Sequence, residues 1–208
     1  MAINSNTTST RRYRVEGQLP ENFHDEIRDR IQKSAFREIE ATNLKEVSIG
    51  WVPVNNPFGA EDIDDSFDKD GYIVLSMRID KKSIPSQTVK AYIVKEEQKH
   101  LEASKKERLS YNERKSIKEA VMVKLLQQAL PISAVYDFFW NTNTGYLYFF
   151  GTSDDLNNKF IELFEETFKD IHLFKMSPYG IAASKSISEE SILSLEPSSF
   201  SIQEGQED

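Results

Sequence analysis

The chain has 208 residues and a mass of 24.0 kDa; 38% of the residues are hydrophobic, 29% are charged, and the formal net charge is −8. This composition is typical of a folded globular protein with one domain or two small ones, and it argues against a disordered chain. The absence of cysteine excludes disulfide frameworks, cysteine-ligated zinc, iron–sulfur clusters and cysteine nucleophiles. No apolar run approaches the roughly 20 residues that span a bilayer, and residues 1–10 are polar, so we expect a cytoplasmic protein without a membrane segment.

The hydrophobic pattern predicts an α+β fold, with mainly antiparallel sheets and packed helices. In chain order we expect a strand at 11–18, a helix at 20–35, strands at 45–53 and 71–79, helices at 83–104 and 110–130, strands at 132–140 and 145–151, a helix at 152–168 and a strand at 171–176. The run Ser110-Tyr111-Asn112-Glu113 is typical of a capping box at a helix start. The strand at 145–151 is apolar on both faces, which favours a central place in its sheet.

Two parts of the chain share one plan. Each predicts a helix, a strand ending in tryptophan (Trp51, Trp140), a turn, a strand opening with Gly-Tyr, and a helix. The pattern suggests two pseudo-repeated β-hairpin and helix units, with halves at 11–104 and 110–178. We therefore expect a disordered N-terminus at 1–10, an α+β domain at 11–180 and a serine-rich acidic tail at 181–208.

Charge is distributed unevenly along the chain. The segment from Arg78 to Lys124 holds 13 basic and 7 acidic residues, a net charge of +6, which leaves −14 for the rest. Six carboxylates fall within 61–70 and six within 186–208, and both stretches read as solvated loops or tails. A negative total therefore does not exclude a positive surface that binds a polyanion.

Few residues form a pattern that is typical of catalysis or of metal binding. His24, His100 and His172 fall in different elements and have no metal-ligand spacing, so surface or packing roles are the simpler interpretation. No phosphate-binding glycine loop and no Gly-x-Ser-x-Gly elbow occurs, and a calcium loop opening at Ser66 would place Met77 where the closing glutamate belongs. We expect no cofactor, no metal and no enzymatic activity.

The basic residues recur on two successive predicted helices. Lys95, Lys99 and Lys106 fall within about 40° of one another if the first helix extends that far. Arg114, Lys115 and Lys118 form a second cluster, opposite the apolar side of the next helix. Two such helices could place a row of cations along a phosphate backbone. The alternative is that the exposed faces of two amphipathic helices mix lysine and glutamate for solubility, and charge alone leaves both interpretations open.

These same residues carry a resemblance to a known family. In order and spacing, the chain from Arg11 to Tyr179 resembles the recombination-associated protein RdgC family of bacteria. The motifs that carry it are Gly50-Trp51-Val52-Pro53, Ile84-Pro85-Ser86 with Lys90, the lysine-rich helix, Glu113-Arg114-Lys115-Ser116-Ile117-Lys118-Glu119, Leu125-Leu126, and the hairpin from Tyr136 to Phe150 with Trp140.

The resemblance implies a nucleoid-associated protein that binds double-stranded DNA with little sequence preference. Members of that family form ring-shaped dimers around the duplex, line the ring interior with basic residues and restrain RecA-promoted recombination. Full-length members continue for about another third beyond the end of this sequence, so an open assembly is an alternative to a closed homodimer ring. By resemblance, the candidate DNA-facing residues are Lys90, Lys95, Lys99, Lys105, Lys106, Arg114, Lys115 and Lys118.

Three functions follow as hypotheses. The leading hypothesis is a non-enzymatic, sequence-independent protein that binds double-stranded DNA through the two basic helices. The second is a protein-interaction module that has lost DNA binding and docks through its helices or its acidic tail. The third is a metal-dependent exonuclease, a label that the family has carried, which would depend on Asp64, Asp65 or Asp68.

Overall fold

The computed structural model describes residues 8–18, 23–40, 45–60, 63, 67–177, 180–182, 185 and 187–194. It contains these elements: β1 (Arg11–Gly17), α1 (Phe23–Lys33), β2 (Val47–Val52), β3 (Tyr72–Lys82), α2 (Ser86–Ser104), α3 (Tyr111–Gln128), β4 (Pro131–Asn141), β5 (Tyr146–Phe149), α4 (Asp154–Thr167), β6 (Ile171–Lys175) and α5 (Glu189–Leu193). Each element predicted between residues 11 and 176 is confirmed, with its ends moved by a few residues. Pro20, the predicted start of α1, lies outside the described residues.

The strands form one antiparallel sheet in the order β2-β3-β4-β5-β1-β6, which confirms the α+β class. β2 pairs with β3 and β4 with β5 as hairpins, and β3 joins the two hairpins by pairing with β4 along its length. β1 lies between β5 and β6, so the two ends of the domain meet in neighbouring strands. β5 has strands on both sides, as its two apolar faces predicted.

One face of the sheet forms the core. Ile73, Leu75 and Met77 alternate along β3 and are fully buried there, as the period of two predicted. The helix α4 brings aromatic side chains against this face, and its Phe160 ring stacks on Phe149 of β5 with centroids 4.0 Å apart. Such contacts join sheet and helix into a single apolar cluster.

The other face of the sheet buries polar side chains over β2, β3 and β4. Ser76 Oγ donates to Asp137 Oδ1 at 2.6 Å, and both residues are fully buried. Arg78, only 5% exposed, forms a two-bond ion pair with Asp80 and lies between the rings of Phe36 and Phe58. Arg78 therefore belongs to the interior, although the sequence counts it in the basic segment.

Gly50 explains part of the Gly50-Trp51-Val52-Pro53 motif. A Cβ atom at Gly50 would lie 2.4 Å from the Cα atom of Phe36, closer than any side chain can approach. This close approach lets the chain after α1 run beside β2, where the Phe36 amide donates to the Trp51 carbonyl at 2.9 Å and the Trp51 amide donates to the Ser34 carbonyl at 3.0 Å. The glycine thus allows the backbone packing that seats Trp51 in the core.

The shared plan of the two parts is present in the chain order of the elements. α1-β2-β3-α2 and α3-β4-β5-α4 follow the same sequence of elements, and Trp51 and Trp140 are both buried on the core face. Both units contribute to one sheet, and the division into halves at 11–104 and 110–178 stays a prediction.

The segments predicted as a solvated loop and as tails are described only in part. Within the acidic loop at 61–70, Ile63 and Phe67 are buried in the core, so the loop is anchored rather than wholly solvated. The short helix α5 lies inside the segment predicted as an acidic tail. The carboxylates at 61, 62, 64 and 65, and residues 1–7, lie outside the described residues.

Candidate nucleic-acid interface

The basic segment folds into a helical hairpin, in which residues 105–110 connect α2 to α3. α3 buries Val121, Leu125 and Leu126, whereas α2 has no buried residue. α2 therefore packs along α3 through half-buried side chains and leaves the rest of its surface to solvent. A helix with this exposure can present charge without disturbing the core.

Two local features define the turn of the hairpin. α2 ends at Ser104 because Lys105 takes a left-handed conformation with φ 51°, and the Lys106 amide donates to the Leu101 carbonyl at 3.3 Å. α3 begins with the predicted capping box, which is confirmed in both directions. The Ser110 amide donates to Glu113 Oε2 at 2.8 Å, and the Glu113 amide donates to Ser110 Oγ at 3.3 Å.

Glu113 neutralises one of the candidate cations. Lys106 Nζ lies 2.6 Å from Glu113 Oε1. This hydrogen bond is the largest cause that lowers the pKa of Glu113 to about 2, and the bond from the Ser110 amide is the next largest. Glu113 is therefore ionised at neutral pH, and Lys106 offers less net charge to a phosphate than an unpaired lysine would.

One groove of the hairpin lies between Glu96, Lys99 and His100 of α2 and Ile117, Ala120 and Lys124 of α3. Lys99 Nζ donates to Glu96 Oε1 at 2.8 Å, and this bond lowers the pKa of the Glu96 carboxyl. Lys124 and Lys95 act on the same carboxyl by charge, so three cations gather around a single glutamate.

The other groove lies on a different face of α3. Arg114, Lys115 and Lys118 line it on the α3 side, and Glu97 lines it on the α2 side. All three cations are exposed, and no ion pair involving them occurs among the residues that the structure describes. The groove thus carries three exposed cations that form no ion pair among the described residues, together with the acidic residues Glu97 and Glu119.

The structure exposes all eight candidate residues but does not put them on one surface. Lys99 lines the first groove, and the charge of Lys95 acts on Glu96 there. Arg114, Lys115 and Lys118 line the second groove, and Lys105 and Lys106 lie at the turn. Lys90 lies near the start of α2 and lines neither groove. The alignment of Lys106 with Lys95 and Lys99 depended on a helix that extends that far, and this condition is not met, because α2 ends at Ser104.

Lys124 was missed as a candidate residue. It stands seven residues after Ile117, so helical periodicity places it on the side that also carries Val121 and that reads as apolar. That side faces the seam between the two helices, where a lysine stem can lie over apolar atoms while its ammonium reaches solvent beside Glu96. The signal for Lys124 is the packing of α2 against α3, which places this lysine beside the α2 side chains.

The sequence matches a known protein family. The family model described as "Putative exonuclease, RdgC" matches residues 9–204, nearly the whole chain. The chain belongs to the RdgC family. No curated protein matches the sequence significantly. Family membership confirms the resemblance drawn from the sequence, and it covers the hairpin together with the sheet.

The described histidines of this RdgC-family chain lie near single carboxylates at most. His100 is exposed at the first groove, and His172 Nδ1 lies 3.4 Å from Glu165 Oε1. Over the described ranges, no three histidine or acidic side chains group in a way that could hold a metal ion. Over the same ranges, no helix has the length and hydropathy needed to cross a bilayer.

Proposed function

We propose that this RdgC-family protein binds double-stranded DNA without sequence preference, through the α2–α3 hairpin. The observation that carries the proposal is the group of exposed cations on the hairpin, Arg114, Lys115 and Lys118, which form no ion pair among the described residues. The hairpin can present these charges to a ligand because its helix α2 buries no residue in the core. The residues outside 78–124 sum to a net charge of −14, whereas the segment that holds the hairpin sums to +6, so a polyanion is attracted to this segment more than to the acidic stretches of the chain.

The chemistry of the hairpin suits the phosphate backbone rather than the base edges. Lysine ammonium groups on flexible stems act as point charges, and they can follow a phosphate row without fixed hydrogen-bond geometry. Binding of this kind releases counterions, and its logarithmic dependence on salt has a slope of about −0.9 for each phosphate neutralised. We therefore expect affinity that falls steeply with salt and differs little between sequences.

The test is a fluorescence anisotropy titration of a random 30-base-pair duplex over a range of salt concentrations. Changing Arg114, Lys115 and Lys118 together to alanine should weaken binding, and it should reduce the salt slope by up to about 2.7 if all three neutralise phosphates. Changing Lys95 and Lys99 to alanine tests whether the cations near the first groove also contribute to duplex affinity. A matched control is Lys159→Ala, which removes a surface lysine that is paired with Asp155 on α4.

Two results would overturn the proposal. One is the absence of duplex binding at low salt; the other is an equal loss of affinity in the Lys159→Ala control. Association with a protein partner would instead support the interaction-module hypothesis if it is insensitive to salt and does not require DNA. We expect a random DNA sequence and a fixed one to bind within a few-fold of each other.

The exonuclease in the family description defines a second candidate. Incubation of linear duplex with the protein and Mg²⁺ distinguishes the two functions, because binding alone leaves the DNA intact. Magnesium-dependent degradation that is lost in Asp68→Asn would favour the nuclease and would identify the acidic loop as its site.

The proposal extends to the assembly and the cellular role that the family resemblance implies. We propose a homodimer on nucleoid DNA that restrains RecA-dependent recombination. Light scattering with and without duplex measures the assembly, and a RecA strand-exchange reaction measures the restraint. The Arg114, Lys115 and Lys118 triple variant should weaken both DNA binding and restraint, whereas the Lys159→Ala control should keep them.

A further inference from the structure

The part of the second sheet face formed by β4, β5, β1 and β6 is open, in contrast to the part over β2 and β3. The strand register arranges the side chains on this face in two rows that run across neighbouring strands. We call this surface the aromatic–arginine face, and its members are Phe139, Tyr148, Arg12, Tyr146, Arg14 and Phe174.

The first row runs from Phe139 on β4 through Tyr148 on β5 to Arg12 on β1. The rings of Phe139 and Tyr148 stack nearly parallel, with centroids 4.7 Å apart and 17° between their planes. Both rings are half-buried and Arg12 is exposed. The row thus offers a supported aromatic surface beside a guanidinium group.

The second row runs from Tyr146 on β5 through Arg14 on β1 to Phe174 on β6. The Arg14 guanidinium carbon lies 5.1 Å from the centre of the Tyr146 ring, and Arg14 also donates to the Thr144 carbonyl at 2.6 Å. Phe174 is 53% exposed, although it stands in a strand whose other face is buried. Together with the rings of Tyr146, Tyr148 and Phe139 on the same face, Phe174 extends an aromatic surface, and contiguous surfaces of this kind mark binding sites.

Charge around the face is mainly positive. A groove at its edge is lined by Arg11, Arg12, Tyr148 and Lys175. Arg11 is held by Asp154 at 2.7 Å, whereas neither Arg12 nor Lys175 forms an ion pair in the part of the chain that the structure describes. Glu16 is the acidic residue on the same face of β1, and it stands at the far end of the strand, opposite His172.

We propose that the aromatic–arginine face binds single-stranded nucleic acid. Bases with free faces can stack on Tyr148 and Phe174, while Arg12 and Arg14 hold the phosphates, and a sheet with aromatic and basic side chains is suited to this chemistry. A duplex keeps its bases stacked on each other and cannot use the rings. The inference does not rest on the function proposed for the hairpin, because the two surfaces share no residue.

The experiment measures anisotropy of labelled 15-mers of dT and of U, titrated with the full chain at low salt. The wild-type protein should bind at least one of them, and Tyr148→Ala should bind about 5- to 150-fold more weakly, the range that one lost base–aromatic stack gives. Tyr148→Phe should keep the affinity, since the ring remains. Tyr111→Ala, which removes an 81% exposed tyrosine from the hairpin, should leave it unchanged.

Two further variants separate this proposal from folding and from the hairpin. Arg12→Glu changes an exposed residue, so it should weaken single-strand binding without lowering the unfolding midpoint. Changing Lys115 and Lys118 to alanine should keep single-strand binding while duplex binding falls. Equal affinity for dT and U would indicate stacking and phosphate contacts alone, and preference for U would add a contact to the 2′-hydroxyl.

The proposal is overturned if neither 15-mer binds at low salt, or if Tyr148→Ala and Arg12→Glu bind like the wild type. It is also overturned if Tyr148→Ala turns a dimer into a monomer while 15-mer binding stays the same. In that case the face is an interface between copies of the chain.

Discussion

The helix α4 and the helix α2 show how differently this molecule uses helices. α4 buries Phe160 and Phe164 against the sheet, whereas α2 buries no residue at all. Substitutions in the first region should therefore change the free energy of unfolding, and substitutions in the second should change binding while the fold persists.

Phe160→Ala should produce the largest loss. Its ring stacks on Phe149 and lies 5.3 Å from the ring of Phe138 and 6.1 Å from that of Trp51, so truncation opens a cavity at the centre of the aromatic cluster. We expect a decrease of about 3–5 kcal/mol in the free energy of unfolding, measured by urea denaturation. Tyr92→Ala on α2 is the matched aromatic truncation and should cost less than about 0.5 kcal/mol. Similar losses in both variants would contradict the contrast.

The buried ion pair should be nearly as sensitive. Arg78 donates through Nε and Nη2 to the two carboxylate oxygens of Asp80, at 2.8 and 2.7 Å. Asp80→Ala leaves a buried guanidinium without its partner, and we expect a loss of about 3–5 kcal/mol by urea denaturation. Replacing both residues, as in Arg78→Met with Asp80→Leu, should restore much of the stability, because neither charge of the pair is then left buried without its partner. The Glu96–Lys99 pair on α2 gives the comparison, since Glu96→Ala should lower the free energy of unfolding much less than Asp80→Ala does.

Local pattern was enough to predict most of this fold. The alternation in β3 identified the core side of the strand, and the capping box identified the start of α3. Alternation also places Ser76, Arg78 and Asp80 on the opposite side of β3, but it gives no sign that this side is buried. What covers a sheet face is decided by contacts between residues far apart in sequence, and local periodicity carries no information on them.

The same limit explains why the sequence predicted the cations of the hairpin but not the aromatic–arginine face. Runs of basic residues are visible in one segment, so the sequence predicted the cations of the hairpin. The aromatic–arginine face includes residues of β1, β5 and β4. Arg12 and Tyr148 are 136 positions apart in the sequence, and the strand register places them side by side. Only the strand order turns two alternating segments into one surface.

Tyr13→Phe should have an intermediate effect on stability. The fully buried Tyr13 hydroxyl donates to Asn157 Oδ1, which is also buried. Removing the hydroxyl leaves that oxygen without its donor, so we expect a loss of about 1–3 kcal/mol in the free energy of unfolding at neutral pH. Asn157→Ala, which removes the acceptor, should also destabilise, since its amide donates to the carbonyls of Gly151 and Ser153.

The same tyrosine gives a prediction for alkaline pH. Burial raises the pKa of Tyr13 from 10.0 to about 12, so the protonated hydroxyl stabilises the folded state fully below pH 10 and progressively less as the pH rises to about 12. The difference in unfolding free energy between the wild type and Tyr13→Phe should therefore shrink over pH 10–12. A difference that stays constant over this range would contradict the assignment.

The smallest expected effect belongs to the hairpin turn. Ser110→Ala removes one half of the capping box at the start of α3, and we expect a loss of about 1 kcal/mol by urea denaturation. Ser110→Asp keeps an oxygen acceptor and should retain most of the stability.

Acid titration sharpens this last test, because Glu113 links the cap to Lys106. Since hydrogen bonds hold the pKa of Glu113 near 2 instead of 4.5, its stabilising contribution is present above pH 4.5 and is lost as the pH falls toward 2. Glu113→Gln should therefore differ from the wild type most at neutral pH and least near pH 2. The same variant frees Lys106 from its partner, so we expect slightly tighter duplex binding at neutral pH, with a steeper salt slope. A variant that lost both stability and duplex affinity would show that the turn positions the hairpin as well as capping it, and the contrast between the two helices would then be smaller than their burial suggests.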